Sequence, residues 1–252
     1  MLSKNRIKEV TALHNKKFRN LENVFIVEGE KVVGDLLLSG WKVLTIFATP
    51  DYINRNRLSG EISCEVCTED EMSKITALTT ASPVLAVVEM PPTDVEVNMQ
   101  SGLKLVLDNV KDPGNFGALC RIADWFGIDE IICSNDSVDC FNPKVVQSSM
   151  GSLFHLKVVY KDLTELFRDN LAQNKLPVYG TLMEGENIFT AELSQSGFIV
   201  LGNESNGISL EVEKYITKAL TIPIFSNAKN GLPDSLNVSV AAGIVCAQFR
   251  KD

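Results

Sequence analysis

Leu107-Asp108-Asn109-Val110-Lys111-Asp112-Pro113-Gly114-Asn115-Phe116-Gly117-Ala118-Leu119-Cys120-Arg121 joins a strand to a helix. The apolar run Leu103 to Leu107 reads as a strand end, and Asp, Pro and Gly make the tight turn after it. The spacing predicts a helix from about Asn115 to Phe126, because Leu119, Ile122, Ala123 and Phe126 recur at the intervals of an apolar stripe. With 3.6 residues per turn, Gly117 and Arg121 fall together on the opposite side. A glycine beside an arginine at the mouth of such a unit leaves room for an anionic group.

The alternation continues to the C-terminus. Strands are expected near 103–108, 129–133, 177–181, 198–202 and 220–224, and helices near 115–126, 142–150, 162–174, 209–217 and 235–250. This order argues for an α/β domain with a largely parallel sheet covered on both faces. Toward the N-terminus a smaller α/β unit of residues 1–90 is expected. Ser3 can cap a helix bearing Ile7, Val10 and Leu13, followed by strands at Val24–Val27, Val43–Ala48 and Val84–Val88. Helices are expected at Glu28–Leu38 and Glu69–Leu78, with a polar stretch from Asp51 to Gly60. Residues 91–102, opening on two prolines, read as a linker, which leaves 103–252 as the second domain.

Composition is that of an ordinary globular chain, with 252 residues, 45% hydrophobic and 22% charged. No stretch reaches the roughly 18 uninterrupted apolar residues of a membrane span. The first residues are basic without an apolar core, so no secretory signal is expected and the cytoplasm is the expected location. Cys64-x-x-Cys67 has no second pair at zinc spacing and no nearby histidine, and the two histidines, His14 and His155, are far apart. No metal site is therefore expected. Residues 1–20 hold six Lys/Arg against one acid, a net +5, so that the remaining residues carry −13 of the total −8. Such asymmetry suits a basic element for a polyanion, and equally a solvated terminal helix.

Ligands of open parallel sheets bind beyond the carboxyl ends of strands. Besides the opening stretch, two further strand ends carry unusual residues. Phe198 to Leu201 runs into Gly202-Asn203-Glu204-Ser205-Asn206-Gly207, where two glycines flank an acid, and Ser209 can cap the next helix. Thr221-Ile222-Pro223 is followed, after a loop, by Ser235-Leu236-Asn237-Val238-Ser239 and a nearly all-apolar helix. There Ser235 is the expected cap and Asn237 lies just inside. The small residues Ser239, Ala242, Gly243 and Cys246 suit close packing of that helix, within the chain or across a subunit interface. Neither G-x-G-x-x-G nor G-x-x-x-x-G-K-[ST] occurs, so hydride transfer and P-loop chemistry are poor fits.

In this order, Asn115-x-Gly117-x-x-x-Arg121, Gly202-x-Glu204-x-x-Gly207 and Ile222-Pro223 with Ser235-Leu236-Asn237-Val238-Ser239 resemble the three motifs of the SpoU (TrmH-like) branch of the SPOUT RNA methyltransferases. Asn142 to Gly151 also resembles that family. The N-terminal unit, with Phe25-Ile26-Val27-Glu28-Gly29, looks like the small L30e-like substrate-binding domain of ribosomal members. The link from Pro223 to Ser235 is longer than is usual in the family.

The resemblance implies a 2′-O-ribose methyltransferase that uses S-adenosylmethionine, with a trefoil-knotted C-terminal domain acting as a homodimer. It implies Arg121 as the catalytic arginine, with Asn115, Glu204, Ser235 and Asn237 completing the site. Gly202, Ile222 and Leu236 would hold the cofactor, with Thr181 nearby. Lys4, Arg6, Lys16, Lys17 and Arg19 would then contact RNA phosphates. An arginine with a pKa above 12 is a poor base, so Arg121 is expected to stabilise the developing alkoxide and grip a phosphate, with a phosphate-perturbed base as the alternative. Ribosomal RNA, 23S in particular, is the expected substrate. Transfer RNA methylation and a non-catalytic RNA-binding ribosome assembly factor are the alternatives.

Overall fold

Ser3 opens the first helix as its position predicts, its hydroxyl accepting from the Arg6 N–H, and α1 (Lys4–Ala12) follows. The computed structural model describes residues 1–56, 62–226 and 235–251. It divides the chain into two compact units, Met1–Pro91 with Asp139–His155, and Pro92–Val138 with Leu156–Asp252.

In the first unit Asn15 caps a separate short helix, α2 (Lys16–Glu22). Then come β1 (Val24–Glu28), α3 (Glu30–Leu38), β2 (Val43–Ala48), α4 (Pro50–Asn56), β3 (Cys64–Val66), α5 (Glu69–Ile75) and β4 (Val84–Glu89). The sheet order is β1-β4-β2-β3, with β4 antiparallel to both neighbours and β3 parallel to β2. The polar composition of 51–60 predicts no helix, yet α4 forms. Pro50 supplies its first turn and Tyr52 is buried on its inner side. The core here is Val10, Ile26, Phe47, Met72, Ile75 and Leu85.

The second unit holds β5 (Leu103–Leu107), α6 (Pro113–Trp125) and β6 (Glu130–Ser134). Between β6 and β7 (Lys157–Lys161) the chain contributes α7 (Pro143–Ser149) to the first unit. There the Arg19 guanidinium pairs with Asp139 at 2.6 Å, Phe25 meets Phe141 at 4.8 Å between ring centres, and Trp41 meets Phe154 at 5.4 Å. After β7 come α8 (Leu163–Asp169), β8 (Val178–Asn187), β9 (Gly197–Leu201), α9 (Leu210–Glu213), β10 (Lys218–Thr221) and α10 (Val238–Phe249). The six strands pair in the order β10-β8-β9-β5-β6-β7, all parallel. β7 is the strand that periodicity does not single out, because lysines end it and only Val158 and Val159 lie deep within it.

Of residues 91–102, expected as a linker, Pro91 belongs to the first unit and 92–102 lie along the second. The Tyr160 N–H donates to the Thr93 carbonyl at 3.0 Å, Lys161 pairs with Asp94, and Lys157 reaches the Glu96 carbonyl. Val95, Val97 and Met99 pack on the core formed by Val106, Ile132, Phe167 and Phe198. Alternate apolar residues thus tie down a segment that its prolines make look free.

Candidate active site

β5 and β9 are neighbours in register, Leu107 opposite Leu201, so the loops after them start side by side. The Asp108 N–H extends the ladder to the Leu201 carbonyl at 2.9 Å. The buried Asp108 carboxylate accepts from the Ser209 N–H at 2.7 Å. Asn109 adopts a left-handed conformation (φ 59°), which asparagine tolerates well, and its N–H donates to the Ser134 hydroxyl at 2.8 Å. The second loop is a tight turn in which Asn203 and Gly207 exchange both backbone hydrogen bonds at 2.9 Å. A methyl group on Gly202 would lie 2.1 Å from the Gly207 carbonyl carbon, so the turn closes only over glycine.

α6 begins where Pro113 takes the first helical position and the Asp112 carboxylate accepts from the Asn115 N–H at 2.7 Å. That start aims the Asn115 side chain across the loops. Its amide N–H donates to Glu204 Oε1 at 2.8 Å, and its carbonyl accepts from the Asn237 amide at 2.9 Å. The Asn237 carbonyl in turn caps α10, accepting from the Ser239 and Val240 N–H groups at 2.9 and 3.4 Å. Side chains from two helix starts and one loop thus form one oriented chain of hydrogen bonds, ending on a carboxylate. Arg250, at the far end of α10, donates to the carbonyls of Phe126 and Gly127, both at 2.7 Å, just beyond the end of α6. The two helices therefore run parallel, and their electropositive N-termini converge on the Glu204 side.

Of the residues expected at the site, Asn115, Glu204 and Asn237 are joined directly. Arg121 projects from α6 as an exposed side chain, with no ion pair or hydrogen bond among the described residues. Ser235 and Leu236 are exposed immediately before Asn237. Ser235 is not the expected cap. α10 starts three residues later, because Asn237 is itself the cap, with a non-helical ψ of 137°, and its side-chain carbonyl takes the first free N–H groups. The Thr181 hydroxyl donates to the Val200 carbonyl at 3.0 Å, which ties β8 to β9 just before Gly202. Ile222 is half-buried at the end of β10, and the segment 227–234, whose length departs from the family pattern, lies outside the described residues.

Three further expectations are corrected. Gly117 is buried with Phe116, Leu119, Cys120 and Ala123, because α10 packs on α6 and covers a second side of it. That packing also buries Ala242 and Cys246 within the chain, and burial pushes the Cys246 thiol up to about 12. Arg19 cannot contact phosphates. It is 1% exposed and donates to the carbonyls of Leu13 and His14 as well as to Asp139. Arg6 is held between Glu9 and Glu65, whereas Lys4, Lys16 and Lys17 are exposed.

Asp108, Asn109, Asn203 and Ser209 build the site without having been singled out as its members. The available signal was a run of Asp and Asn at strand ends, residues that bond backbone groups in turns. A nucleoside ligand fits what is present. The Gly202 turn is closed by its own backbone and presents main-chain groups at the strand end, and apolar Ile224, Phe225 and Leu236 are exposed beyond the strand ends, as the polar and apolar parts of a nucleoside require.

Comparison with known proteins follows the same lines. Residues 102–247 match the model of the SpoU rRNA Methylase family, and residues 4–86 that of the MRM3-like substrate binding domain. The 23S rRNA (guanosine(2553)-2′-O)-methyltransferase RlmP of Bacillus subtilis is 33% identical over 97% of this chain and 96% of its own. The AdoMet-bound rRNA methyltransferase from Sinorhizobium meliloti superposes with a TM-score of 0.84 at 28% identity, covering 99% of this chain and 96% of that one. The SpoU methyltransferase AviRb from Streptomyces viridochromogenes, in complex with AdoMet, gives 0.85 at 25% identity, covering 98% and 97%.

Proposed function

Because the chain belongs to the SpoU rRNA methylase family, we propose that it transfers the methyl group of S-adenosylmethionine to a ribose 2′-hydroxyl of 23S ribosomal RNA. The observation that carries this reading is the bonded chain Glu204–Asn115–Asn237 at the carboxyl edge of the parallel sheet. The cofactor supplies a methyl group already activated on a sulfonium, so positioning of the hydroxyl does much of the catalytic work. Gly202, Ile222 and Leu236 would hold it largely through backbone groups, with Thr181 alongside.

Arg121 has no described partner to neutralise it, which leaves its guanidinium to stabilise the developing alkoxide and a neighbouring phosphate. Its permanently charged state makes it a poor base. Glu204, fixed by Asn115, orients the site, and Ser235, exposed two residues before Asn237, completes it. An intact set of these residues speaks for catalysis over a purely RNA-binding assembly factor.

Residues 1–90 serve as the RNA substrate-binding domain, with Lys4, Lys16 and Lys17 as phosphate contacts. The knotted methyltransferase domain is drawn from residues 103–252 apart from Asp139–His155, with 92–102 packed along it. The protein acts as a homodimer in the cytoplasm. Support for the dimer comes from apolar side chains left open on the two paired helices, Trp125 at 85% exposure and Val240 at 52%. No helix among the described residues is long and apolar enough to cross a membrane.

The test is transfer of labelled methyl from S-adenosylmethionine to unmodified ribosomal RNA by the purified protein. Label recovered on a ribose 2′-oxygen of 23S RNA is expected. Label on transfer RNA alone, or no heat on titrating the cofactor, would contradict the proposal.

A further inference from the structure

We infer that Asn203, the side chain between Gly202 and Glu204, is a positioning residue that sets the Glu204 carboxylate by stapling its turn to the loop after β5. The inference rests on the methyl-transfer reading of the same site. One amide makes both halves of the staple. Its Nδ2 donates to the Asn109 carbonyl at 2.9 Å, while its Oδ1 accepts from the Ser205 and Asn206 N–H groups at 2.9 and 3.1 Å. The far end of the turn is held by the adjacent residue of the same loop, through Asp108 and the Ser209 N–H at 2.7 Å. Asn109 is itself anchored to the neighbouring strand end, its N–H donating to the Ser134 hydroxyl at 2.8 Å.

Glu204 therefore leaves a backbone pinned on both sides, and its Oε1 meets Asn115 at 2.8 Å. The direct approach of Asn203 Nδ2 to Glu204 Oε2, 3.5 Å, is too long to do this alone. Only a short side chain with donor and acceptor on one planar group can make the two sets of bonds.

Asn203→Asp tests this in the full-length protein. It keeps an oxygen for the two turn amides, loses the donor to Asn109 and brings a second carboxylate toward Glu204. We expect kcat to fall roughly ten- to a hundredfold, with the KM for RNA and the Kd for S-adenosylmethionine within about threefold and the thermal midpoint nearly unchanged. In a Glu204→Gln background the same substitution should cost little more, because the residue acts through Glu204. Wild-type kcat in Asn203→Asp, or losses that multiply in the double variant, would overturn the inference alone. Should Asn203→Asp fail to fold, Asn203→Ser must show the same fall in kcat; unfolding of both would make the residue structural and overturn it. A wild-type protein that methylates no RNA would instead bring down the functional reading, and this inference with it.

Discussion

At the scale of single residues, the site separates charge from alignment. Asn115 and Asn237 carry no charge, and each spends both ends of its amide on a named partner, so they align. Arg121 carries charge and is left open to supply it to a ligand. Arg121→Lys keeps the charge and loses the planar fork. It should lower kcat by roughly a hundredfold or more while cofactor affinity, read by calorimetry, stays unchanged. Equal loss of both would remove Arg121 from the chemistry. Strand ends and helix starts among glycines and apolar runs marked the loops, while it was the family resemblance that implied Asn115, Glu204 and Asn237 as one set, whose side chains the structure joins. Asp108 and Asn203 were not legible, since their partners are backbone groups that only folding brings near. Arg19 misled for the related reason that its counter-charge, Asp139, lies 120 residues away.

At the scale of elements, helix caps connect stability to the site. Asn237→Ala removes the α10 cap and should cost about 1 kcal/mol in urea unfolding. Asn237→Asp keeps the accepting oxygen and should recover that stability, yet methyl transfer should stay low in both because the donor to Asn115 is gone. Recovery of activity in Asn237→Asp would show that the amide chain is incidental. In the first unit, Thr68 and Glu71 form a capping box on α5, and the Thr68 and Leu2 N–H groups hold the Glu71 carboxylate below its ordinary value of 4.5. A lowered carboxylate pKa stabilises the fold above that range and loses its effect as the pH falls. Glu71→Ala should therefore melt a few degrees lower than wild type at neutral pH, with the gap narrowing as acid protonates the lowered carboxylate; a gap independent of pH would assign the effect to packing. Strong periodic elements such as β5, β9 and α6 were readable in advance. α2, α4 and β7 were not, because they are short and each is held by only one or two buried residues.

At the scale of the whole molecule, the alternation of strands and helices announced a parallel sheet, while the boundary of the first unit stayed hidden. Asp139–His155 is counted there because Phe141 and Phe154 close the aromatic cluster of Phe25 and Trp41, and the Phe154 carbonyl accepts from the Trp41 indole at 3.1 Å. A fragment of residues 1–91 lacks those partners and leaves Arg19 buried without Asp139, a costly state for a charge. Its single tryptophan, Trp41, should report a weaker, less cooperative unfolding transition than the full chain gives; an equally sharp transition at the same temperature would show the segment to be dispensable. The most direct test of the central claim is a map of ribose 2′-O-methyl groups on ribosomal RNA from cells with and without this gene. One methylated nucleotide of 23S RNA should vanish on deletion and return with the wild-type gene but not with Arg121→Lys. An unchanged 23S map would contradict the assignment.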